Sequence, residues 1–146
     1  MAITLTIDNQ EVEVKDDATI LEAAKEVGID VPTLCYHPDL TEFGSCRVCV
    51  VENEESGDLL ASCVTPVSDG MKISTNSTKA RTARRTNLEL LLANHPNECL
   101  TCDQNGMCEL QDIAYDLGVT EVSFEGETTD YEVDDKGPSL KREPSK

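Results

Sequence analysis

The sequence predicts an α+β protein, with a small sheet packed on one helix and a short helical unit after it. Three observations lead to this class. Apolar residues alternate with period two near the start of the chain, recur at helical spacing over 20–27, and form short strand-like runs at 47–52, 59–63 and 71–73. The 146 residues include no Trp, two Phe and three Tyr. That is material for one modest core, so we expect metal ligation to add stability.

The first predicted elements are a hairpin and a helix. Residues 3–7 and 11–14 alternate between apolar and polar positions, with turn-forming residues between them, which is the pattern of two antiparallel strands. Thr19 and Glu22 have the spacing of a capping box, with Thr19 as the N-cap. Gly28 is predicted to end this helix, because glycine adopts the left-handed conformation that often closes helices.

Three more strands complete the predicted first domain, residues 1–77. Residues 47–52 and 59–63 are rich in β-branched and apolar side chains and are joined by a polar turn. Residues 71–73 are predicted to form a last short strand. The first cysteine lies in an irregular, proline-flanked segment between the helix and these strands, so we expect a ligand-bearing loop there.

The second predicted domain, residues 78–118, contains two helices. The first covers 78–94 and places three leucines on its apolar face: Leu88, Leu91 and Leu92. Pro96 limits this helix, because the residue before a proline disfavours the α conformation. The second covers 109–117 and also has one apolar face: Leu110, Ile113, Ala114 and Leu117. Residues 119–146 are mostly polar and are predicted to be a connector or tail.

The charge distribution limits the partners. A net charge of −17 argues against nucleic acid, because phosphate binding needs a basic surface. No stretch is apolar enough for a membrane span, and the first residues lack the pattern of a signal peptide, so we expect a cytoplasmic protein. One stretch without Asp or Glu is basic: Lys72, Lys79, Arg81, Arg84 and Arg85. It is either a docking face or a solvated helix surface, and we favour the solvated surface.

The positions of cysteine and histidine predict two metal sites. All seven cysteines and one of the two histidines fall into two groups, spaced C-x10-C-x2-C-x13-C and H-x3-C-x2-C-x5-C. Seven thiols cannot all pair as disulfides, and thiolates favour zinc, copper(I) or iron–sulfur clusters. The predicted ligands are Cys35, Cys46, Cys49 and Cys63 in the first group, and His95, Cys99, Cys102 and Cys108 in the second.

The spacing of the candidate ligands favours one type of metal centre in the first group but not in the second. Zinc sites favour paired C-x2–4-C knuckles, whereas the first group has one knuckle between two lone cysteines. This order is shared with plant-type [2Fe–2S] ferredoxins, so the first group favours a two-iron cluster. One histidine with three cysteines is an ordinary zinc set and also suits an iron–sulfur cluster, so spacing leaves both open for the second group.

Three residues near the ligands have competing interpretations. Gly44 lets the backbone approach cluster sulfurs and donate hydrogen bonds to them, although a plain turn would need glycine equally. Arg47 lies between Cys46 and Cys49, where it either offsets cluster charge or is simply exposed. His37 is interpreted as structural, because the eight ligands are complete without it.

Several segments together resemble one family region. They are Cys35-Tyr36-His37-Pro38, Gly44-Ser45-Cys46-Arg47-Val48-Cys49-Val50, Asn94-His95-Pro96, Cys99-Leu100-Thr101-Cys102 and Gly106-Met107-Cys108-Glu109-Leu110-Gln111. The region they resemble is the N-terminal cluster-binding part of [FeFe]-hydrogenases. The large iron–sulfur subunit of NADH:ubiquinone oxidoreductase (complex I) and certain NAD-dependent formate dehydrogenases share it. The resemblance extends over essentially the whole chain and all eight ligand positions.

This resemblance implies a fold, cofactors and ligands. It implies a β-grasp ferredoxin-like domain whose [2Fe–2S] cluster has Cys35 and Cys46 on one iron and Cys49 and Cys63 on the other. It also implies a small helical domain with a [4Fe–4S] cluster held by one histidine and three cysteines, namely His95, Cys99, Cys102 and Cys108.

The implied function is relay of single electrons within an oxidoreductase complex of hydrogenase, NADH dehydrogenase or formate dehydrogenase type. The expected partners are other redox subunits or domains, flavin- and NADH-linked or hydrogenase-type. In the relatives, the segment resembling 134–146 leads to further cysteine motifs. We therefore expect a fragment of a larger subunit, with a free-standing electron carrier as the other possibility. No catalytic site is predicted in the chain itself, so its status as an enzyme stays open.

Two other functions compete with electron relay. The first is a zinc-stabilised interaction module without a redox role, which iron content and visible absorbance distinguish from an iron–sulfur protein. The second is a thiol-redox enzyme that uses C-x2-C. It fits less well, because neither knuckle follows a βαβ pattern and the remaining thiols would have no role.

Overall fold

The computed structural model describes residues 2–127, 133, 136, 137 and 139, so part of the predicted connector lies outside the described residues. Over the described range the predicted α+β class is confirmed as a five-stranded mixed sheet with three α-helices. The elements are β1 Ala2–Ile7, β2 Gln10–Lys15, α1 Ile20–Glu26, β3 Val50–Asn53, β4 Leu59–Ala61, β5 Lys72–Ser74, α2 Thr78–Ala93 and α3 Glu109–Asp116, with a 3-10 turn at Cys99–Thr101. The third and fourth strands are shorter than predicted.

The strand order in the sheet is β2-β1-β5-β3-β4. The predicted hairpin is confirmed: β1 and β2 pair antiparallel, with Leu5 opposite Val12. Its turn residues Asp8 and Asn9 both have positive φ, at 47° and 66°, as the tight hairpin turn that matches strand twist requires. β5 joins β1 in parallel and β3 antiparallel, which brings the end of the first predicted domain into the centre of the sheet.

Helix α1 covers one face of the sheet and forms the core with it. Its residues Ile20, Leu21, Ala23 and Ala24 are fully buried, together with Leu5, Ile7, Val51 and Ile73 from the strands. The predicted capping box is confirmed: the Glu22 N–H donates to the Thr19 hydroxyl at 3.3 Å, and the Thr19 N–H donates to the Glu22 carboxylate at 2.8 Å. The helix is therefore anchored at the edge of the sheet that carries the cysteines.

The first turn of α1 is also bonded to the segment after β4. The N–H of Ile20 donates to the Thr65 carbonyl, and the N–H of Leu21 donates to the Ser62 carbonyl, both at 3.0 Å. The first backbone N–H groups of a helix have no partner within the helix, so these bonds satisfy two of them. The segment 62–65 is thereby fixed against the core, and Cys63 with it.

Helix α2 packs on β3 with part of the predicted apolar face. Leu88 is fully buried and Leu92 is half-buried, whereas Leu91 is 38% exposed. The buried side of the helix also includes Ala80 and Arg84, the last only 5% exposed. The predicted apolar face therefore holds for Leu88 and Leu92, and Leu91 is its exposed member.

Helix α3 follows the prediction closely. Its four predicted apolar residues, Leu110, Ile113, Ala114 and Leu117, are all half-buried, and none is fully buried. Gly118 takes φ 64° directly after the C-cap Leu117, which is the left-handed conformation that ends helices. The face of α3 borders a cleft whose other wall is the segment 30–36, so α3 lies beside the loop that carries the first cysteine.

Candidate metal centres

Two cysteines of the first group come from the core itself. Cys49 directly precedes β3 and Cys63 follows β4, and their side chains are 1% and 2% exposed. The Cys49 thiol donates to the Cys63 sulfur at 3.3 Å. Two thiolates on one tetrahedral metal lie roughly 3.8 Å apart when each bond is about 2.3 Å. The pair is therefore about half an ångström closer than the spacing that one shared iron requires.

Cys35 and Cys46 form a second pair on the loop between α1 and β3. Both are half-buried. The thiol and backbone N–H of Cys46, together with Ser45, hydrogen-bond to the sulfur of Cys35. Backbone groups of Val48 also hydrogen-bond to the sulfur of Cys46. Hydrogen bonds to ligand sulfurs are one of the ways in which a protein sets a cluster's reduction potential.

These surroundings separate the acidities of the four thiols. Burial alone would raise the pKa of Cys35, but the hydrogen bonds from Cys46 and Ser45 outweigh it and lower that pKa to about 7. Burial raises the pKa of Cys46. Burial and the neighbouring Cys49 thiol raise the pKa of Cys63 to about 12. Because ligation requires thiolates, a bound metal must supply the charge that holds Cys63 deprotonated.

The arrangement in pairs suits a two-iron cluster better than a single ion. Over residues 2–127 and the few described beyond them, no three His, Cys, Asp or Glu side chains converge closely enough to hold one metal ion. In a [2Fe–2S] cluster each of the two irons takes two of the four protein ligands. In a [4Fe–4S] cluster each of the four irons takes one. The paired thiols of the first group therefore suit a two-iron cluster.

Gly44 is required at its position for two reasons. Its φ is 57°, in the left-handed region, and a Cβ there would lie 2.9 Å from a methyl group of Val64. Val64 directly follows the ligand Cys63, so the cluster loop and the segment after β4 touch at this glycine. The turn interpretation of Gly44 is therefore supported, and the close contact at this glycine is with the Val64 side chain.

Arg47 and His37 are both exposed. Arg47 has φ 55°, and its carbonyl accepts a hydrogen bond from the Asn87 amide at 2.8 Å. The backbone of Arg47 thus connects the cluster loop to α2, while its side chain faces solvent. His37 lies outside the paired thiols, which agrees with its interpretation as a structural residue.

The second group lies on exposed turns. His95 follows the end of α2, Cys99 opens the 3-10 turn, Cys102 closes it, and Cys108 is the N-cap of α3. His95 and Cys102 are exposed, and the other two are half-buried.

The two histidines make the same local hydrogen bond. The N–H of Asn97 donates to Nδ1 of His95, and the N–H of Asp39 donates to Nδ1 of His37, each at 3.2 Å. Both belong to His-Pro-Asx sequences, so this bond does not distinguish a ligand. A neutral ring that accepts at Nδ1 carries its proton at Nε2. Iron binding through Nε2 of His95 therefore requires that proton to leave this nitrogen.

Two buried polar residues near the first ligand group are not among the site residues predicted from the sequence. The Ser62 hydroxyl donates to the Cys49 carbonyl at 2.8 Å, and Nε of Arg84 donates to the Val50 carbonyl at 2.9 Å. Arg84 belongs to the basic stretch that we interpret as a solvated surface. Its burial corrects that interpretation for Arg84 alone, because the other four basic residues are exposed. A signal is present, because Ala80, Arg84 and Leu88 recur every four residues and share one helix face.

Comparison with known proteins identifies the family. Residues 1–78 match the family model of the 2Fe-2S iron–sulfur cluster binding domain. The chain belongs to that family. Residues 84–123 match the NADH-ubiquinone oxidoreductase-G iron-sulfur binding region. The two matches assign one [2Fe–2S] cluster and one [4Fe–4S] cluster to the chain, as the sequence predicted, and they do not support the zinc-stabilised module.

Relatives from several oxidoreductases share this pair of regions. The chain is 44% identical over 149 residues to NADP-reducing hydrogenase subunit HndD of Solidesulfovibrio fructosivorans, covering 99% of this chain and 26% of the relative. It is 46% identical over 143 residues to the NADH-ubiquinone oxidoreductase 75 kDa subunit of Reclinomonas americana, covering 95% of this chain and 20% of the relative. The chain thus spans about a fifth to a quarter of these relatives.

A solved structure shares the fold. The crystal structure of an NAD+-reducing [NiFe]-hydrogenase in the H2-reduced state superposes with a TM-score of 0.83 at 36% identity, covering 93% of this chain and 57% of that chain. The superposition includes both cluster regions. The chain is therefore an iron–sulfur module with the architecture found in these complexes. In the part of the chain that the structure describes, no helix is long and apolar enough to cross a membrane.

Proposed function

We propose that the chain relays single electrons between redox partners through its two clusters. When bound, each cluster exchanges one electron at a time, with a potential set by its charge, hydrogen bonds and exposure. The observation that carries the proposal is the Cys49–Cys63 sulfur pair, 3.3 Å apart and buried in the core. It supplies a rigid, water-poor ligand pair beside the more exposed pair of Cys35 and Cys46.

We assign the ligands by group. Cys35, Cys46, Cys49 and Cys63 hold the [2Fe–2S] cluster, with Cys35 and Cys46 on one iron and Cys49 and Cys63 on the other. His95, Cys99, Cys102 and Cys108 hold the [4Fe–4S] cluster. The pairing of the first four sulfurs supports the assignment in the first group. In the second group, Cys108 is the N-cap of α3 and follows the 3-10 turn that carries Cys99 and Cys102, which supports a shared site.

The finer description of the fold belongs to this proposal. The first unit, residues 1–77, is a β-grasp ferredoxin-like domain, and 78–118 is a helical domain with one histidine and three cysteine ligands. The mixed sheet covered by α1 and the separate turn-and-helix arrangement of 95–116 are consistent with this division. Residues 119–146 then serve as a connector.

The partners are other redox subunits or domains, either flavin- and NADH-linked or of hydrogenase type. Large apolar side chains are exposed next to both ligand groups: Leu40, Phe43, Leu100 and Met107, which are 69%, 79%, 94% and 74% exposed. Apolar surface of this kind marks contact sites. Its position beside the ligands would let a partner's redox centre come close to the clusters.

Metal analysis tests the proposed cofactor load. Anaerobically purified protein is expected to be brown and to contain about six irons and six sulfides per chain, the sum of one [2Fe–2S] and one [4Fe–4S] cluster. Stoichiometric zinc with no visible absorbance would overturn the electron-relay function and restore the zinc-stabilised module.

Paired histidine variants test the second ligand set. His95→Cys is expected to retain a [4Fe–4S] cluster with a lower potential, because thiolate adds a negative charge where imidazole is neutral. His37→Ala is the matched control, since His37 precedes a proline and makes the same local bond, and it should leave both clusters unchanged. Redox titration followed by EPR is the measurement. Loss of a cluster in His37→Ala with no change in His95→Cys would reverse the assignment.

A further inference from the structure

Arg84 is a buried cation without a matching anion. Its side chain is 5% exposed, Nε donates to the Val50 carbonyl at 2.9 Å, and Nη2 is buried without a hydrogen-bond partner among the described groups. A buried charge without a partner is costly. Arginine cannot escape that cost by losing its proton, because its pKa stays far above neutral. Such a residue calls for an explanation beyond packing.

The charges around Arg84 point to the first ligand group. Burial lowers the pKa of Arg84, and the negative forms of Cys49 and Asp8 act in the opposite direction. The Asp8 carboxylate already accepts hydrogen bonds from the N–H and hydroxyl of Thr75. Of the two groups, Cys49 acts on Arg84 more strongly than Asp8, and it belongs to the first ligand group.

Arg84 is almost fully buried, although one side of it lines a cleft of about 460 Å³ between 30–36 and α3. The carboxylates in this cleft, those of Asp30, Glu109, Asp112 and Asp116, form no ion pair with Arg84 in the described part of the chain. A charge at 5% exposure is screened by salt far less than a surface charge.

We propose that Arg84 positions Cys49 and sets the potential of the [2Fe–2S] cluster. Its guanidinium donates a hydrogen bond to the Val50 carbonyl. This bond fixes the start of β3, and with it the preceding residue, Cys49. The guanidinium also places a permanent positive charge next to a centre that gains one negative charge on reduction. The charge favours the reduced form and raises the potential. This inference rests on the proposed ligation by Cys49.

The test compares neutral and charged replacements at 84 with a neutral replacement at the next residue. Arg84→Gln removes the charge, and Arg84→Lys keeps it. Arg85→Gln is the matched control, because Arg85 is about half exposed and pairs with Glu89 at 3.1 Å on the same helix. The readout is the midpoint potential of the [2Fe–2S] signal, titrated in the full-length loaded chain. The [4Fe–4S] signal in the same sample is an internal reference.

In Arg84→Gln the equilibrium constant for reduction is expected to fall tenfold or more, which is at least about 59 mV for one electron. Arg84→Lys should stay within tenfold of the wild type, and Arg85→Gln should be unchanged. The difference between Arg84→Gln and the wild type should persist from about 0.1 M to about 1 M salt, because the charge is buried.

Three outcomes decide against the inference or its basis. An unchanged potential in Arg84→Gln with the cluster present overturns the role of Arg84 alone. A wild-type chain with no [2Fe–2S] signal overturns the proposed function instead. If Arg84→Gln does not assemble a cluster, Arg84→Met replaces it, since an apolar side chain removes the buried charge without a new polar group. Failure of both neutral variants, with an unchanged Lys variant, would show that the charge at 84 is needed to assemble the cluster, and it would overturn the inference that this charge sets the potential.

Discussion

The two ligand groups are built differently. Cys49 and Cys63 are part of the hydrophobic core, and the first turn of α1 bonds to the segment that carries Cys63. The second group stands on a 3-10 turn and the start of a short helix, and neither contains a fully buried residue. We therefore expect the fold to position the first candidate ligands before metal binds. In the second unit we expect ligation itself to supply much of the order, because binding free energy there is also folding free energy.

Removal of one ligand from each group is expected to give the largest effect. Cys46→Ala should abolish the [2Fe–2S] signal and largely spare the [4Fe–4S] signal, because the two groups assemble on different elements separated by α2. Cys102→Ala is the converse variant and should spare the [2Fe–2S] signal. EPR of the reduced proteins is the measurement. If either variant loses both signals, the two units fold as one and the comparison fails.

Truncation of the core measures how much the first unit depends on packing. Ile20→Ala removes a fully buried side chain from α1 and is expected to reduce the free energy of unfolding by about 2–5 kcal/mol. Leu100→Ala, at a side chain 94% exposed beside the second group, is the control and should change it by less than about 0.5 kcal/mol. Denaturant titration of both variants decides. Equal losses of unfolding free energy in the two variants would mean that the Leu100 side chain is buried in solution.

Much of this comparison is predictable from local signals. The hairpin, the capping box of α1 and the bounds of α3 follow from residues that are close together in the chain, and so does the division of the candidate ligands into two groups. The exceptions depend on contacts between distant segments. The residues near Arg84 in the sequence do not predict that α2 packs on β3. The alternation of apolar residues does not predict that β5 pairs with β1.

The same limit applies to the candidate site. Spacing predicts which residues are ligands, but it does not predict their pairing or their acidity. The 3.3 Å contact between Cys49 and Cys63 joins residues 14 positions apart. The contact of Gly44 with Val64 likewise depends on how the cluster loop folds over the segment after β4. Such contacts are set by the tertiary structure, which local patterns do not encode.

A glycine substitution tests the packing of the cluster loop. Gly44→Ala combines the left-handed conformation, which costs an L-residue about 1–2 kcal/mol, with a Cβ 2.9 Å from Val64, which adds about 1–3 kcal/mol. Gly70→Ala is the matched control, because Gly70 has φ 75° and nothing within 4 Å of a Cβ. It should show the conformational cost alone.

Denaturant unfolding of the loaded proteins measures how much each glycine variant lowers the free energy of unfolding. If Gly44→Ala costs no more than Gly70→Ala, the loop does not press against Val64. The double variant Gly44→Ala with Val64→Ala should recover part of the additional loss, because it removes the methyl groups that the new Cβ meets.

The smallest expected effect is a difference in thiol reactivity within the first group of the metal-free chain. The pKa of Cys35 is about 7 and that of Cys63 about 12. Alkylation at Cys35 should therefore rise as the pH passes through about 7. Cys63, which is in addition only 2% exposed, should stay unreactive at pH values where Cys35 is fully alkylated. Mass spectrometry of the alkylated peptides reads both sites. Equal labelling would show that the first unit loses its structure without metal.

Hydrogen exchange of the full-length chain, metal-free and loaded, tests the contrast between the units most directly. Cluster loading should slow exchange of backbone amides in 95–116 by tenfold or more, which is about 1.4 kcal/mol. The amides of β1 and β5, paired inside the sheet, should already be protected in the metal-free chain and change much less. Equal gains in both regions, or a gain confined to the strands, would contradict the account.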